Sequence, residues 1–380
     1  MSLEEIRRQI DETDGELAQL FKQRMALCAE AAAEKKAARL PVAEPERERE
    51  TLYRVTETAG GPLENYTRIL YATLFNLGRS YQETLTQQEG AAIASRIAET
   101  VAATPEGFPT RAVVACQGVE GAYSQQACAK LFPVPRIMYF GRFEGVFRAV
   151  ESGMCQYGVL PIENSSAGSV TEVYDLMEKY HCSIVRSTRL QINHCLMAAP
   201  GVKLEDVKEI VSHEQAINQC SDFLRAHGSV KVTVFANTAL AAKHVAESGR
   251  GDLAAIGSEV CAQLYGLNVL SRDVQNSDYN YTRFICISKK PEIYPGAGRI
   301  TFMASLPHEP GSLASLISRF ASLGLNICKI ESRPIPGRNF EFRFYFDIEA
   351  DVRSAKVQNI LGQLEKDALF VFLGAYSEIA

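Results

Sequence analysis

Two different apolar periodicities share this chain, and no single sheet or bundle satisfies both. Up to about residue 86, apolar residues recur at helical spacing with no strand-like run. From Arg111 onward, short β-rich runs alternate with helical stretches. The 380 residues leave room for several domains at roughly 100–200 residues each.

Residues 1–36 read as one long helix. Ile6, Ile10, Leu17, Leu20, Phe21, Leu27 and Ala31 recur on one stripe, and Glu, Lys and Arg fill the rest. Arg39-Leu40-Pro41 ends it, and Glu44-Pro45 starts a second helix with Pro at its first position. Gly60-Gly61-Pro62 ends that one, and a third helix runs from about Glu64 to Thr86. Three helices cover too little of the first helix's stripe, so an intertwined helical dimer is expected. Residues 87–110 are poor in large apolar groups and read as a partly helical linker.

Strands are expected at Ala112–Cys116, Arg136–Phe140, Tyr157–Pro161, Val207–Ser212, Lys231–Ala236, Asp252–Ile256 and Arg283–Ser288. The strand–helix theme recurs around Tyr157–Asn164 and Asp252–Glu259, which points to an α/β unit of two lobes. Lys289 to Gly298 is a Pro/Gly-rich linker. The remainder reads strand, helix, strand, strand, helix, strand, a ferredoxin-like order, with strict alternation from Phe340 to Asp347.

The net charge of −5 offers no basic footprint for nucleic acid. The ten Cys are scattered singly without a CxxC pair, and the six His form no HExxH. No metal site and no cofactor are expected, and the unpaired thiols fit a reducing cytoplasm. The charged opening MSLEEIRRQIDETD is no signal peptide. No apolar run approaches the ~18 residues of a membrane span.

Chemistry concentrates at strand ends. Gly158–Ser165 runs from a buried strand into a polar turn, Ser212-His213-Glu214-Gln215 follows the next, and Asn237-Thr238 the one after. Ligands of open α/β sheets sit at such carboxyl ends, where helix N-termini offer N–H groups to anions. Helix capping alone accounts for any single Ser, Asn or Thr there. It does not account for Glu163 beside Asn164, or for Thr282-Arg283-Phe284 opening the last strand.

LPIENS with the following Gly168, SHEQAINQC, NYTRF after Tyr265-Gly266-Leu267, and QGVEGAYS at Gln117–Ser124 resemble the prephenate dehydratase family, with Val119 departing from its usual Gly-Pro. The resemblance implies a lobed α/β domain like the type II periplasmic binding proteins, acting on prephenate. It assigns protonation of the leaving hydroxyl to Thr282, with Asn164, Ser165, Ser212, Gln219 and Thr238 positioning the ligand. Arg283 would stabilise charge left on Thr282. Glu163 is the alternative proton donor, since a carboxyl in a closed pocket can serve as general acid.

The helices resemble the all-helical chorismate mutases at Arg7, Arg24, Lys35, Glu44, Arg47, Glu48 and Gln82. Arg24 and Lys35 lie about 16 Å apart on nearly one face. They can grip the two ends of chorismate, with Lys35 and Gln82 meeting the charge that develops on the ether oxygen. Arg7 lies about 25 Å further down the helix and would serve a partner chain. The family's usual aspartate is Glu44 here, and its usual serine is Gly78. A missing serine hydrogen bond predicts that Gly78→Ser improves chorismate binding.

The last segment, with HEPGSLA at His308–Ala314 and Asn326 before ESRP at Glu331–Pro334, resembles ACT regulatory modules. That implies phenylalanine as effector, bound near Gly311, Ser312, Leu313, Asn326, Glu331 and Ser332. The expected layout is an all-α mutase domain (1–88), a linker (89–110), an α/β dehydratase domain (111–289), a linker (290–298) and an α+β ACT domain (299–380). The chain is expected to be a homodimer or dimer of dimers, with neither nucleic-acid nor membrane partners. The enzyme alternative is an arogenate dehydratase. A non-catalytic amino-acid sensor is the alternative from another class.

Overall fold

The computed structural model describes residues 1–86, 91–228, 230–309, 311–335, 337, 341–367 and 369–379. The chain forms two compact units, Met1–Glu99 with Phe302–Val371, and Thr100–Thr301 with Phe372–Ala380. Residues 87–90 of the expected linker, Pro310 and Phe340 lie outside the described residues.

Helix α1 (Leu3–Ala38) starts at Ser2, whose Oγ accepts from the Glu5 N–H at 3.2 Å. It ends at Arg39, left-handed at φ 56°, whose N–H returns to the last-turn carbonyls. Helices α2 (Pro45–Ala59) and α3 (Glu64–Thr86) follow where the breakers predict. Both α1 and α2 pack on α3. Much of the α1 stripe stays exposed in the single chain, with Leu17 at 54% and Leu20 at 60%. Helix α4 (Ala91–Ala103) occupies much of the expected linker.

The second unit holds two sheets. Strands β1 (Arg111–Gln117), β2 (Val134–Phe140), β3 (Tyr157–Asn164), the short β4 (Gly168–Ser169) and β5 (Ser183–Gln191) build the first lobe. Helices α5 (Tyr123–Leu131), α6 (Phe143–Glu151) and α7 (Thr171–Tyr180) lie between them. The chain crosses at 192–194 into the second lobe. There β6 (Cys195–Ala198), β7 (Glu209–His213), β8 (Lys231–Phe235), β9 (Leu253–Gly257) and β10 (Asn268–Ser271) alternate with α8 (Glu214–Gln219), α9 (Ser221–Ala226), α10 (Thr238–Ser248) and α11 (Glu259–Tyr265). It crosses back through 272–280 and enters the first sheet as β11 (Tyr281–Ser288).

The sheet orders are β5-β11-β3-β1-β2 and β10-β6-β9-β7-β8. Strand β11 is antiparallel to both β3 and β5, whereas β1 is parallel to β2 and β3. The two crossings are joined where the Ile192 N–H donates to the Asn280 carbonyl at 2.7 Å. Strands β5, β6 and β10 were not among those expected from the sequence.

The tail contributes β12 (Arg299–Ser305), α12 (Ser312–Ser322), β13 (Asn326–Pro334), β14 (Phe342–Glu349), α13 (Ala355–Asp367) and β15 (Leu369–Ile379), in the expected order. Phe302, Phe320 and Phe346 stack in its core. In the first unit α12 packs on α3, with Arg319 Nη2 3.7 Å from Glu83 Oε2. The end of β15 runs parallel to β5, Ser377 opposite Arg186. Removing residues 299–380 would therefore strip a strand from the second unit's sheet.

Candidate active sites

A cleft of about 580 Å3 in the second unit is lined by Asn164, Thr282, Thr238, Gln219 and His194, among others. A recess of about 670 Å3 adjoins it and shares His213, Gln215 and Gln219. Three helices open toward the cleft. The first-turn residues Tyr123 and Ser124 of α5, Thr171 of α7 and Thr238 of α10 all line it. The N–H groups and positive dipole ends at three helix starts suit a small dianion, and the described residues of the lining include no Lys or Arg. Asn237 caps α10, its Oδ1 accepting from the Leu240 N–H at 2.7 Å.

Strand pairing decides which predicted residues meet. Thr282 lies opposite Asn164, and Arg283 opposite Glu163. Side chains alternate across a strand, so Asn164 and Thr282 share the cleft face while Glu163 and Arg283 share the other. Asn164 Nδ2 donates to Thr282 Oγ1 at 2.9 Å and to Asn280 Oδ1 at 2.8 Å. Arg283 is 4% exposed, and its Nε lies 2.7 Å from Glu163 Oε1. Glu163 and Arg283 therefore turn away from Thr282 rather than toward it. This geometry disfavours Glu163 as the acid and Arg283 as the stabiliser of charge on Thr282.

Gln219 and Thr238 line the cleft. Ser212 is fully buried and donates to the Ile256 carbonyl at 2.7 Å. Ser165 donates to the Tyr279 carbonyl and accepts from the Tyr281 N–H, both at 2.9 Å. Neither hydroxyl lines the cleft; both hold backbone. The sequence reading missed the α5 and α7 N-termini, Asn280 and His194. Asn280 stands inside the NYTRF motif, whereas a lone His before CLM gives no signal.

In the first unit a pocket of about 350 Å3 gathers Arg24, Lys35, Glu44, Arg47, Glu48 and Gln82. Arg7 is exposed and not in its lining. Lys35 Nζ pairs with Glu44 at 2.6 Å and donates to the Val42 carbonyl at 2.7 Å. That ammonium holds the Glu44 carboxyl below its ordinary pKa. Arg79, absent from the sequence reading, pairs with Glu48 at 3.3 Å and donates to Asn76 Oδ1 at 2.5 Å. Gln82 Oε1 is buried and has no partner among the described residues. Guanidinium and ammonium groups around such a volume suit a small dicarboxylate.

Gly78 has a local role. A Cβ there would lie 3.2 Å from Arg24 Nη1 and 3.3 Å from Cys28 Sγ. The Arg24 guanidinium occupies this space, donating to the Leu74 carbonyl at 3.0 Å and approaching the Phe75 ring. A serine Cβ would press on the guanidinium and on Cys28 Sγ, which must each give by a few tenths of an ångström.

A third pocket, of about 320 Å3, includes Ser312 and Leu313 together with His308, Phe342 and Phe344. Gly311 precedes α12 at φ 91°. Asn326, Glu331 and Ser332 lie on β13 outside that lining, and Asn326 Nδ2 donates to Glu349 at 2.8 Å.

A lobed cleft for a small dianion and a helical, cation-rich pocket on one chain define a two-site enzyme of carboxylate chemistry. Family models match on both sides: prephenate dehydratase over residues 114–292 and chorismate mutase type II over residues 6–83. The bifunctional chorismate mutase/prephenate dehydratase of Escherichia coli is 31% identical over 94% of this chain and 92% of its own. Arogenate dehydratase/prephenate dehydratase 1 of Arabidopsis thaliana is 37% identical over 71% of this chain and 73% of its own. A prephenate dehydratase from Arthrobacter aurescens, solved with L-Phe, is similar at TM-score 0.63 and 28% identity, covering 70% of this chain and 90% of that one. The chain belongs to the bifunctional chorismate mutase/prephenate dehydratase family.

The position of Arg24 reverses the expectation for Gly78. Gly78→Ser should push the guanidinium aside and raise the KM for chorismate roughly threefold to tenfold, as one charged hydrogen bond is weakened. Steady-state mutase kinetics on both forms measure this. A lower KM in the serine variant would mean that the hydroxyl binds substrate without displacing Arg24.

Proposed function

We propose that this chain rearranges chorismate to prephenate in the helical pocket and converts prephenate to phenylpyruvate, water and carbon dioxide in the lobed cleft. The observation that carries the second step is the Asn164–Thr282 hydrogen bond. Asn164 Oδ1 accepts from the Ser166 and Ala167 N–H groups at 3.0 and 2.9 Å, so its Nδ2 end must face Thr282. Thr282 Oγ1 therefore accepts, and its own hydrogen is free for the substrate.

A threonine hydroxyl is a weak acid, and a donor aimed at its oxygen favours the charge it acquires on giving up a proton. The three helix N-termini hold the two carboxylates. Thr282 protonates the ring hydroxyl, which leaves as water while the ring carboxylate leaves as carbon dioxide and its bonding pair completes the aromatic ring. Solvent returns the proton to Thr282. Glu163, paired with Arg283, serves to hold β3 and β11 together. Ser165 and Ser212 support the backbone around the site.

In the mutase pocket Arg24 and Arg47 hold carboxylates, while Lys35 and Gln82 face the breaking ether bond. A neutral Gln82 presents its N–H to that oxygen. Glu44 orients Lys35, and Arg79 orients Glu48. No covalent step is needed, since holding the reactive conformer supplies much of the acceleration. Arogenate, with an amino group where prephenate has a keto group, is the second substrate reading, supported by the plant relatives. Comparing kcat/KM on the two substrates separates them.

The exposed α1 stripe and the distance of Arg7 from its own pocket favour a second copy of the chain as partner. The pocket at Ser312 and Leu313 favours a small apolar amino acid ligand, and we assign it to phenylalanine as inhibitor, in a module of ACT type. Glu331 and Ser332 on β13 would contribute only across an interface between copies. Sedimentation and dehydratase rates of the full chain, with and without L-phenylalanine, check both points. A dimer or larger species whose turnover falls on adding phenylalanine is expected. A monomer, or a rate indifferent to millimolar phenylalanine, contradicts the proposal.

Separate sites should fail separately. Thr282→Ala should lose dehydratase turnover by a factor of about 10³ or more, in line with removal of a proton donor, and still consume chorismate, so that prephenate accumulates. Phenylpyruvate formed near the wild-type rate would remove Thr282 from the mechanism.

A further inference from the structure

We propose that His194 and Asn280 are positioning residues of the dehydratase cleft, fixing the Gln219 amide so that its Nε2 hydrogens face a carboxylate of the substrate. The proposal rests on the dehydratase reading of the cleft and adds two residues to it.

The orientation of each amide follows from a single anchored group. Two backbone N–H groups hold Asn164 Oδ1, so Asn164 Nδ2 is the end that meets Asn280. Asn280 Oδ1 must then accept, which leaves Asn280 Nδ2 to donate to Gln219 Oε1 at 3.0 Å. His194 Nε2 lies 3.0 Å from that same oxygen. An oxygen already accepting from Asn280 can accept again but cannot donate. His194 therefore carries its hydrogen on Nε2, and its Nδ1 has no partner among the described residues. Burial also favours the neutral ring by pushing its pKa down, against the opposing effect of the Gln219 hydrogen bond.

Both anchors are deep, His194 at 3% and Asn280 at 2% exposure. With two donors on Gln219 Oε1, turning the amide over would set N–H against N–H. Gln219 Nε2 is consequently fixed in the cleft wall, buried and without a partner among the described residues. A buried donor left unpaired is costly unless a ligand meets it.

The chain of bonds also has a mechanical meaning. Thr282 and Asn164 belong to the first lobe and Gln219 to the second, while His194 and Asn280 sit on the two crossings between the lobes. The network thus fixes the spacing between the proton donor and a carboxylate donor on the opposite lobe. Neither His194 nor Asn280 need touch the substrate to do this.

The test uses the full chain, with the folding of each variant checked by its thermal unfolding transition against the wild type. KM and kcat for prephenate are measured for His194→Leu, His194→Gln, Asn280→Asp, Gln219→Leu and the double variant His194→Leu with Gln219→Leu. His194→Leu should raise KM about ten- to a hundredfold, the effect of losing a hydrogen bond to a charged group. His194→Gln, whose side-chain N–H can still donate to Gln219 Oε1, should recover most of that loss. Asn280→Asp, nearly isosteric but unable to donate when ionised, should also raise KM. The double variant should match Gln219→Leu alone, because His194 acts only through Gln219. Unchanged KM in Asn280→Asp, no recovery in His194→Gln, or additive losses in the double variant would overturn the proposal. Absence of dehydratase turnover in the wild type would instead overturn the reading of the cleft.

Discussion

The antiparallel pairing of β3 with β11 brings Thr282 to Asn164 across 118 residues of sequence. Its register is not uniform. Phe284 lies opposite Pro161, yet Arg283 lies opposite Glu163, so Ile162 is an extra residue in β3. Continued without that bulge, the ladder would set Thr282 against Glu163. A one-residue change of register alters which side chains meet, and here it sets the hydroxyl against an amide rather than a carboxylate. Pro161, which has no N–H to give to a ladder, sits next to the irregularity, where a proline within a sheet is tolerated.

In the proposed mechanisms the two pockets meet dicarboxylates by different physical means. The helical pocket uses side-chain cations, with Lys35 and Arg79 held by Glu44 and Glu48. The cleft uses helix N-termini and neutral donors, with its arginine at 283 turned to the other face of the sheet. The contrast follows the chemistry each reading assigns. An ether oxygen gaining charge in a rearrangement benefits from a fixed cation nearby. A ring that must expel carbon dioxide needs its carboxylate held but not neutralised by a tight ion pair, and backbone N–H groups provide a milder hold. The helical pocket places its groups along helix faces, and the cleft places them on helix starts and strand ends.

Much of this was legible in the sequence. The breakers at Pro41, Gly60-Gly61 and Pro62 marked the three helices, because Pro and Gly disturb helices through local backbone chemistry that needs no tertiary context. Strand β5 was not legible: SIVRSTRLQ carries Ser187 and Thr188, polar yet fully buried between neighbours. Four-residue β6 is too short for any period to register. Motif strings named Glu163, Asn164, Thr282 and Arg283 together, but only the ladder separates them into two faces. Gly78 was read as a missing hydroxyl, since a sequence cannot reveal that Arg24 packs tightly against it. His194 was invisible for the same reason, being defined by an oxygen atom on a residue 25 positions away.

In the proposed mechanism Asn164 donates to Thr282 and so frees the Thr282 hydrogen for the leaving hydroxyl. The most direct measurement is a progress curve for the full chain carrying Asn164→Asp, fed chorismate while prephenate and phenylpyruvate are followed together. An aspartate carboxylate can only accept, so it should capture the Thr282 hydrogen. Normal chorismate consumption, accumulating prephenate and phenylpyruvate formation slowed on the order of a hundredfold are expected, the scale of losing one preorganised donor. Phenylpyruvate appearing at the wild-type rate would contradict it.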